Sequence, residues 1–476
     1  MTDRTSPLIL GSEPIGKLLV QYSVPAIIAM TVTSLYNIID SIFIGHGVGA
    51  LAIAGLAITF PLMNLVVAFC TLVGIGGATI SSIFLGQGDQ VRATEVVHNV
   101  LFMCIVNAIC FGGLTFLFLD PILLFFGASH DTLPYARDFM QVILLGTPIT
   151  YVFIGLNNVM RATGYPRKAM LSSLLTVGCN VILAPIFIFS LGWGIRGAAL
   201  ATVASQTVAM VWVLVHFSNK NSFVHFDRRY ARLKARVVGK IFSIGMSPFL
   251  MNVCACVVVI FINNALQRTG GDLAIGAYGI VNRTLMLFVM IVMGITQGMQ
   301  PIVGYNFGAK QYDRVRKTLR YGIAAGVLVT TVGFVLSELF PHAIVALFTT
   351  SEELVDLSVV GLRICCAMFP FVGCQIVISN FFQSIGRAPV SIFLSLSRQL
   401  LFLMPGLIFL PRIFDELTPW DGSWGVWCSM PLSDFLASLV AGVILFYQFR
   451  KFKAKAAAGR GEISGAEVEN DRRVNE

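Results

Sequence analysis

Charge is what this chain has least of. Asp, Glu, Lys and Arg make up 12% of its 476 residues, against about 25% in an ordinary soluble domain. That shortage excludes a fold whose surface is covered by solvated side chains. Catalytic motifs are missing too. No GxxxxGK[ST] loop is present to cradle phosphates and no HExxH pair to hold a metal, so any energy source has to be something other than ATP bound by this chain. GVGA at 47–50 is a turn between apolar runs, too weak for a nucleotide signature. The six histidines fall in loops or near the ends of apolar runs. The ten cysteines, among them Cys254, Cys256, Cys365, Cys366 and Cys374, show no CxxC pair and read as small apolar residues. Without clustered Asp residues for Mg2+ or an intramembrane Ser/His pair, an enzyme is not expected, and no cofactor beyond a transported ion.

Apolar length is what the chain does have. It is 56% hydrophobic with 37 Phe. Runs almost free of charge fall at 18–39, 50–85, 96–119, 139–160, 169–195, 197–219, 241–267, 284–309, 321–337, 364–386, 399–411 and 435–449. A helix crossing a bilayer needs about 20 apolar residues, so these runs predict an all-α polytopic membrane protein of twelve helices, six in each half.

The basic residues report orientation. Most of the 33 Lys and Arg lie in alternate segments: the N-terminus, the loop at Arg92, Arg161 to Lys168, Lys220 to Lys240, Lys310 to Arg320, Arg387 and the tail from Arg450. Arg137, Arg196, Arg268 and Arg412 fall in the opposite loops, and Arg283, Arg363 and Arg398 within apolar runs. This is the positive-inside pattern. It places both termini in the cytoplasm and accounts for the net charge of +9 without nucleic acid. The expected organisation is a first lobe over 1–218, a basic cytoplasmic linker over 219–240, a second lobe over 241–450 and a mobile cytoplasmic tail over 451–476. The linker is the natural hinge, reading either as a solvated connector or as a surface for anionic lipid headgroups.

The two halves repeat. Ile15-Gly16-Lys17 with Pro25 returns as Val238-Gly239-Lys240 with Pro248, 223 positions on. Phe84-Leu85-Gly86 before Arg92 returns as Asn306-Phe307-Gly308 before Arg314, 222 positions on, and Pro148, Asn158 and Gly164 return as Pro370, Asn380 and Gly386. Duplicated apolar halves are an architecture of secondary transporters, which place their sites at or within the repeats.

An ionisable group inside a span costs at least about 2.5 kcal/mol and is functional by default. Asp40 leads. It follows Pro25 by fifteen residues, so it rides the outer half of a helix whose proline favours a kink, and Pro248 predicts the same kink in the second half. Tyr36 and Asn37, four and three residues earlier, share its face. A carboxyl group removed from water takes up a proton more readily, whereas converging oxygens suit a bare monovalent cation. Asp434 follows Pro431 and either binds a cationic substrate or pairs with Arg283, Arg363 or Arg398. Gln206 and Gln297 belong to a set of amides in spans that predicts a wet interior or helix-to-helix hydrogen bonds.

With these residues in place the chain resembles the multidrug and toxic compound extrusion (MATE) family. The resemblance is carried by a proline-containing first helix ending in Asp40, by Asn180-x3-Ala184-Pro185, by Ala198 and Thr202, and by six-plus-six tandem halves. The segments AIGAYGIVNR at 274–283 and VGYNFGAK at 303–310 look most like its DinF-related, MepA-type branch. The resemblance implies a V-shaped pair of six-helix lobes in a bacterial inner membrane, a monomer among lipids, that exports cationic lipophilic compounds in exchange for inward H+ or Na+. It implies an ion site at Asp40, Asn180, Ala198 and Thr202. Ala184 stands where related members carry a second Asp, which leaves H+ and Na+ both open. Cys256 stands where another branch carries a Glu, so no ion site is expected there. Gln206, Gln297, Arg283, Arg398 and Asp434 are expected at the substrate cavity or lobe interface. A flippase of the same superfamily handling an anionic headgroup is the alternative, for which Arg283, Arg363 and Arg398 would converge.

Overall fold

Lipid offers a peptide group no water to bond, so a single apolar segment crossing it must close its hydrogen bonds within itself as a helix. The computed structural model of the chain describes residues 7–349, 351–417 and 422–474, with the side chains of residues 37, 38, 50, 272, 417 and 451–474 outside that set. The spans are α1 (Ile15–Gly47), α2 (Leu51–Gly86), α3 (Gln90–Leu117), α4 (Leu133–Ala162), α5 (Pro166–Ser190), α6 (Gly194–Ser218), α7 (Ala235–Gly271), α8 (Leu273–Gly308), α9 (Tyr312–Leu339), α10, a pair, Glu352–Cys366 and Phe369–Ser384, bent by 52°, α11 (Ala388–Glu416) and α12 (Gly422–Arg450). Among the described residues, then, twelve spans form when the bent pair is taken as one, and no strand is present. Large apolar side chains such as Leu117 (78% exposed) and Phe446 (62%) face outward, as lipid requires.

Several boundaries differ from those that hydropathy predicts. α2, at 36 residues, is about 54 Å long, well beyond the ~30 Å hydrocarbon core. The charge-free run 50–85 covers it almost end to end, whereas the run 18–39 stops short of both ends of α1. α7 begins at Ala235, so the connector ends at Lys234 rather than Lys240. Nor is the connector a free solvated hinge. Lys234 Nζ meets the buried Glu95 at 2.5 Å, Lys234 N donates to Asn99 Oδ1 at 3.1 Å, and Asn99 Nδ2 donates to Arg232 O at 3.4 Å. Glu95 and Asn99, one turn apart on α3, give the connector a continuous docking face. Past Arg450, in the segment expected to be a mobile tail, helix runs on to Val474. Ala456 to Ala458 favour helix, and lengthening an existing helix needs no new nucleus. The helical backbone also continues across Pro25 and Pro248.

The repeat is visible in backbone conformation. Gly49 (φ 108°) and Gly271 (φ 66°), 222 residues apart, turn the first helix of each half into the second. Gly88 (φ 76°) corresponds to Lys310 (φ 57°), which the second repeat holds in the left-handed region without glycine's freedom.

Apolar burial is divided three ways. One core takes residues from both halves, including Leu18, Val73, Ile241, Met299, Ile302 and Phe381. The other two are private: Ile44, Leu62, Phe139 and Ala198 in the first lobe, and Val258, Tyr278, Leu362 and Trp427 in the second. The lobes therefore join at one end and are separate bodies at the other, which is the V.

Glycines make the join. Gly76 of α2 abuts the Ile241 carbonyl of α7, and Gly245 of α7 abuts the Leu72 carbonyl of α2. At the pseudo-symmetric place, Gly298 and Gly294 of α8 meet Ser23 and Ile27 of α1. Gly86 lies on the Tyr305 carbonyl, and Gly308 on the Ile83 carbonyl. Ser23 Oγ also donates to Ile295 O at 3.3 Å. A Cβ on Gly298 would sit 2.5 Å from the Ser23 backbone, and overpacking of this kind costs about 1–3 kcal/mol. Gly298→Val is expected to lower the melting temperature in detergent by several degrees. Gly279→Ala, where nothing lies within 4 Å, is expected to leave it unchanged or raise it.

Candidate functional site

Four of the residues singled out in the sequence meet in the first lobe. Asn180 on α5 donates through Nδ2 to Tyr36 Oη at 3.2 Å and to Thr202 Oγ1 at 3.1 Å. Thr202 on α6 donates to the carbonyl of Ala198, one turn earlier, at 3.2 Å. Tyr36 Oη and Thr202 Oγ1 are 3.0 Å apart. With Thr202's proton given to Ala198, Tyr36 is the donor in that bond. The four groups close a knot that pins α1 to α5 and α6.

Asp40 lies one turn beyond Tyr36 on the same face of α1. Its side chain is buried, and its Oδ1 has no hydrogen-bond partner among the described residues. A buried carboxylate oxygen without a partner is costly as an anion. Tyr36, one turn earlier, is its polar neighbour on α1. Ala184 lies one turn past Asn180 on α5, fully buried in the same apolar core as Ile44 and Ala198, so its position holds packing. The side chain of Asn37 falls outside the described residues.

The remaining residues separate into seam and lobe. Gln297 is at the lobe interface: its Oε1 accepts from Arg161 Nη1 of α4, and its Nε2 is 3.8 Å from Met30 Sδ of α1. Gln206 stays within the first lobe, accepting from Thr150 Oγ1 at 2.5 Å. Asp434 is buried and paired with Arg398 Nε at 2.6 Å, joining α12 to α11 inside the second lobe. A widened π turn at Ser397–Leu403 carries that arginine. Arg283 is exposed on α8, and Arg363 pairs with Glu338 at 3.6 Å. These three arginines have separate surroundings, and no anion site forms from them. Arg398 and Asp434 thus serve lobe packing rather than the lobe interface.

Sequence reasoning missed Arg161 by placing it in a loop. It closes α4, and its side chain runs back to Asn157 Oδ1 (3.3 Å) and across to Gln297. The Asn157–Arg161 spacing of one turn was the available signal. It also missed Asn306 and Arg314, which tie the N-terminal segment to the second lobe. If the Asp434–Arg398 pair is structural, Arg398→Met alone should cost about 3 kcal/mol by stranding a buried carboxylate. Arg398→Met with Asp434→Leu should recover most of that loss in thermal melts and leave transport intact.

Comparison with known proteins agrees with this geometry. The MatE family model matches the chain twice, over residues 25–186 and 244–408, once in each half. The multidrug export protein MepA of Staphylococcus haemolyticus (strain JCSC1435) is 28% identical over 432 residues, 91% of this chain and 93% of that protein. The structure of the MATE multidrug transporter DinF-BH, solved as a ligand complex, is similar at a TM-score of 0.84 and 36% identity, over 93% of this chain and 97% of that one. An outward-facing multidrug resistance MATE transporter of the MOP superfamily matches at a TM-score of 0.87 and 23% identity over 94% and 99%, a likeness of fold. Two lobes built on one repeat, two copies of one family model and these relatives along the whole membrane domain have a single reading: the chain belongs to the MatE family, the multidrug and toxic compound extrusion transporters.

Proposed function

We propose that this transporter exports cationic lipophilic compounds across a bacterial inner membrane in exchange for an inward cation, working as a monomer with both termini in the cytoplasm. The observation that carries the proposal is Asp40: a buried acid with an unpartnered oxygen, beside a hydrogen-bonded knot, in the half of α1 where the lobes are separate. The named activities of MepA and of the multidrug transporter DinF-BH support multidrug cargo. The basic-residue pattern puts the joined end toward the cytoplasm, so the cleft opens outward.

The proposed cycle is competition at one charge. An ion arriving from outside neutralises Asp40, the α1 face carrying Tyr36 rearranges, and the cationic cargo loses its attraction and leaves. The two occupants must bind the two states unequally, because a ligand with equal affinity for both shifts nothing. The membrane potential is worth about 2.3 kcal/mol per charge per 100 mV, favouring an inward cation and opposing an outward one. One-for-one exchange of monovalent cations therefore draws on the chemical gradient alone.

H+ is the coupling ion the side chains favour. Ala184 supplies no second carboxylate, and Thr202 and Ala198 are already engaged with each other, whereas a proton needs one oxygen of Asp40 and nothing more. Na+ remains the competing reading because hydroxyl and carbonyl oxygens lie close by. Ethidium efflux from proteoliposomes under a pH gradient or a Na+ gradient, in separate runs, distinguishes them. Efflux driven by the pH gradient alone is expected. Asp40→Asn, which keeps the shape and removes the charge, is expected to lower driven efflux at least tenfold at equal protein level. Unchanged efflux in that variant would remove Asp40 from the mechanism.

A further inference from the structure

The chain before α1 belongs covalently to the first lobe and yet is fastened to the second. A short helix, Ile9–Ser12, lies at the joined end of the V, with Leu10 fully buried. The main-chain carbonyl of Leu10 accepts from Asn306 Nδ2 at 2.9 Å and from Arg314 Nη2 at 2.9 Å. Arg314 Nη2 also donates to Glu13 O at 2.7 Å, and its Nε to Asn306 Oδ1 at 2.8 Å. Gly11 lies against the Tyr305 ring, where a Cβ would sit 2.9 Å from Cε1. Asn306 is on α8, and Arg314 is in the first turn of α9. A charged donor serving two main-chain carbonyls and a buried amide is the strong kind of hydrogen bonding.

The first repeat shows that this arrangement is specific. Position 84 corresponds to 306 and position 92 to 314, so the arginine is shared and the asparagine is replaced by Phe84. Arg92 there pairs with its own neighbour, Asp89, at 3.1 Å and lies over the Phe84 ring at 5.8 Å. The segment preceding α7, which corresponds to Ile9–Ser12 in order, is docked on α3 of the first lobe through Lys234 and Glu95, without any part played by Arg92. Only at the second repeat does the arginine reach across the seam.

We propose that residues 7–14 are an inter-lobe strap, with Asn306 and Arg314 as positioning residues, and that the strap has to release from the second lobe for the joined end to open during transport. These bonds exist only while the lobes are together there. Parting them strips Leu10 O of both donors and Arg314 of its acceptors, so the strap stabilises the outward-open state selectively and its release is a step of the cycle. The inference rests on alternating access and is independent of Asp40 and of the coupling ion.

The test is to tether the strap. Gly11→Cys combined with Tyr305→Cys places a thiol on each side of the contact. Because loss of the Tyr305 ring leaves a gap wider than a disulfide spans, the pair is oxidised onto a short bis-methanethiosulfonate bridge, and the oxidised and reduced forms are compared for ethidium efflux in proteoliposomes, with each single variant as control. Efflux in the reduced form tests the transport reading itself. Loss of at least tenfold on oxidation, restored by reductant, is the expected result. Efflux that continues unchanged with the strap tethered would overturn the proposal. Should the double variant not fold, hydrogen exchange on intact Arg314→Ala decides. Faster exchange in 7–14 together with 294–308, with 352–366 unchanged, supports the strap. Faster exchange in 7–14 alone shows a passive end and sinks it.

Discussion

Backbone-to-backbone approach at the seam is the constraint from which the rest of the molecule follows. Inside a bilayer two helices gain little by hiding apolar surface from lipid, because lipid is as apolar as they are, so association rests on dispersion contact and interhelical hydrogen bonds. Contact improves as backbones draw together, and glycine is the residue that permits it. The pairs around Gly76, Gly245, Gly298, Gly86 and Gly308 occupy one end of the V, where the common core also lies. At the other end each lobe packs its own core, and a cleft results without any element being set aside to form it.

α1 connects that seam to the site. Ser23 and Ile27 touch α8 through Gly298 and Gly294, and Pro25 stands between them. Asp40 is about 22 Å beyond Pro25 along the same helix by rise per residue. Pro25 removes one hydrogen bond from α1 at the place where α1 is held by the other lobe. The knot of Tyr36, Asn180, Thr202 and Ala198 holds the far half to α5 and α6. Asp40 therefore rides a rod anchored to both lobes and weakest where it crosses between them.

The architecture was legible because the bilayer enforces it. Span number, the repeat and the grouping of Asp40, Tyr36, Asn180, Ala198 and Thr202 follow from hydropathy, spacing and resemblance, all of which concern one helix or one repeat at a time. What escaped depends on contacts between elements. Arg161 reads as a loop residue because it closes α4, but its side chain turns inward to Asn157 and Gln297 instead of extending to the membrane surface as long basic side chains near helix ends do. The connector reads as a solvated basic run because composition does not show that Glu95 and Asn99 face it. Asp434 reads either as a substrate acid or as the partner of Arg283, Arg363 or Arg398, and only the packing of α11 on α12 singles out Arg398, 2.6 Å away.

Duplication keeps what packing requires and frees what chemistry requires. Gly76 and Gly86 recur at 222 residues as Gly298 and Gly308, because each half must present a close surface to the other, while Gly245 and Gly294 correspond to Ser23 and Leu72, and even the left-handed turn at Gly88 recurs at Lys310, where it is strained. The site does not recur. The positions corresponding to Asn180 and Thr202 are Phe402 and Trp424, and Asp40 corresponds to Ile262 or Asn263, depending on which of the two offsets is continued. The hydrogen-bonded knot stands in one lobe alone, and α1 joins it to a seam that both repeats build.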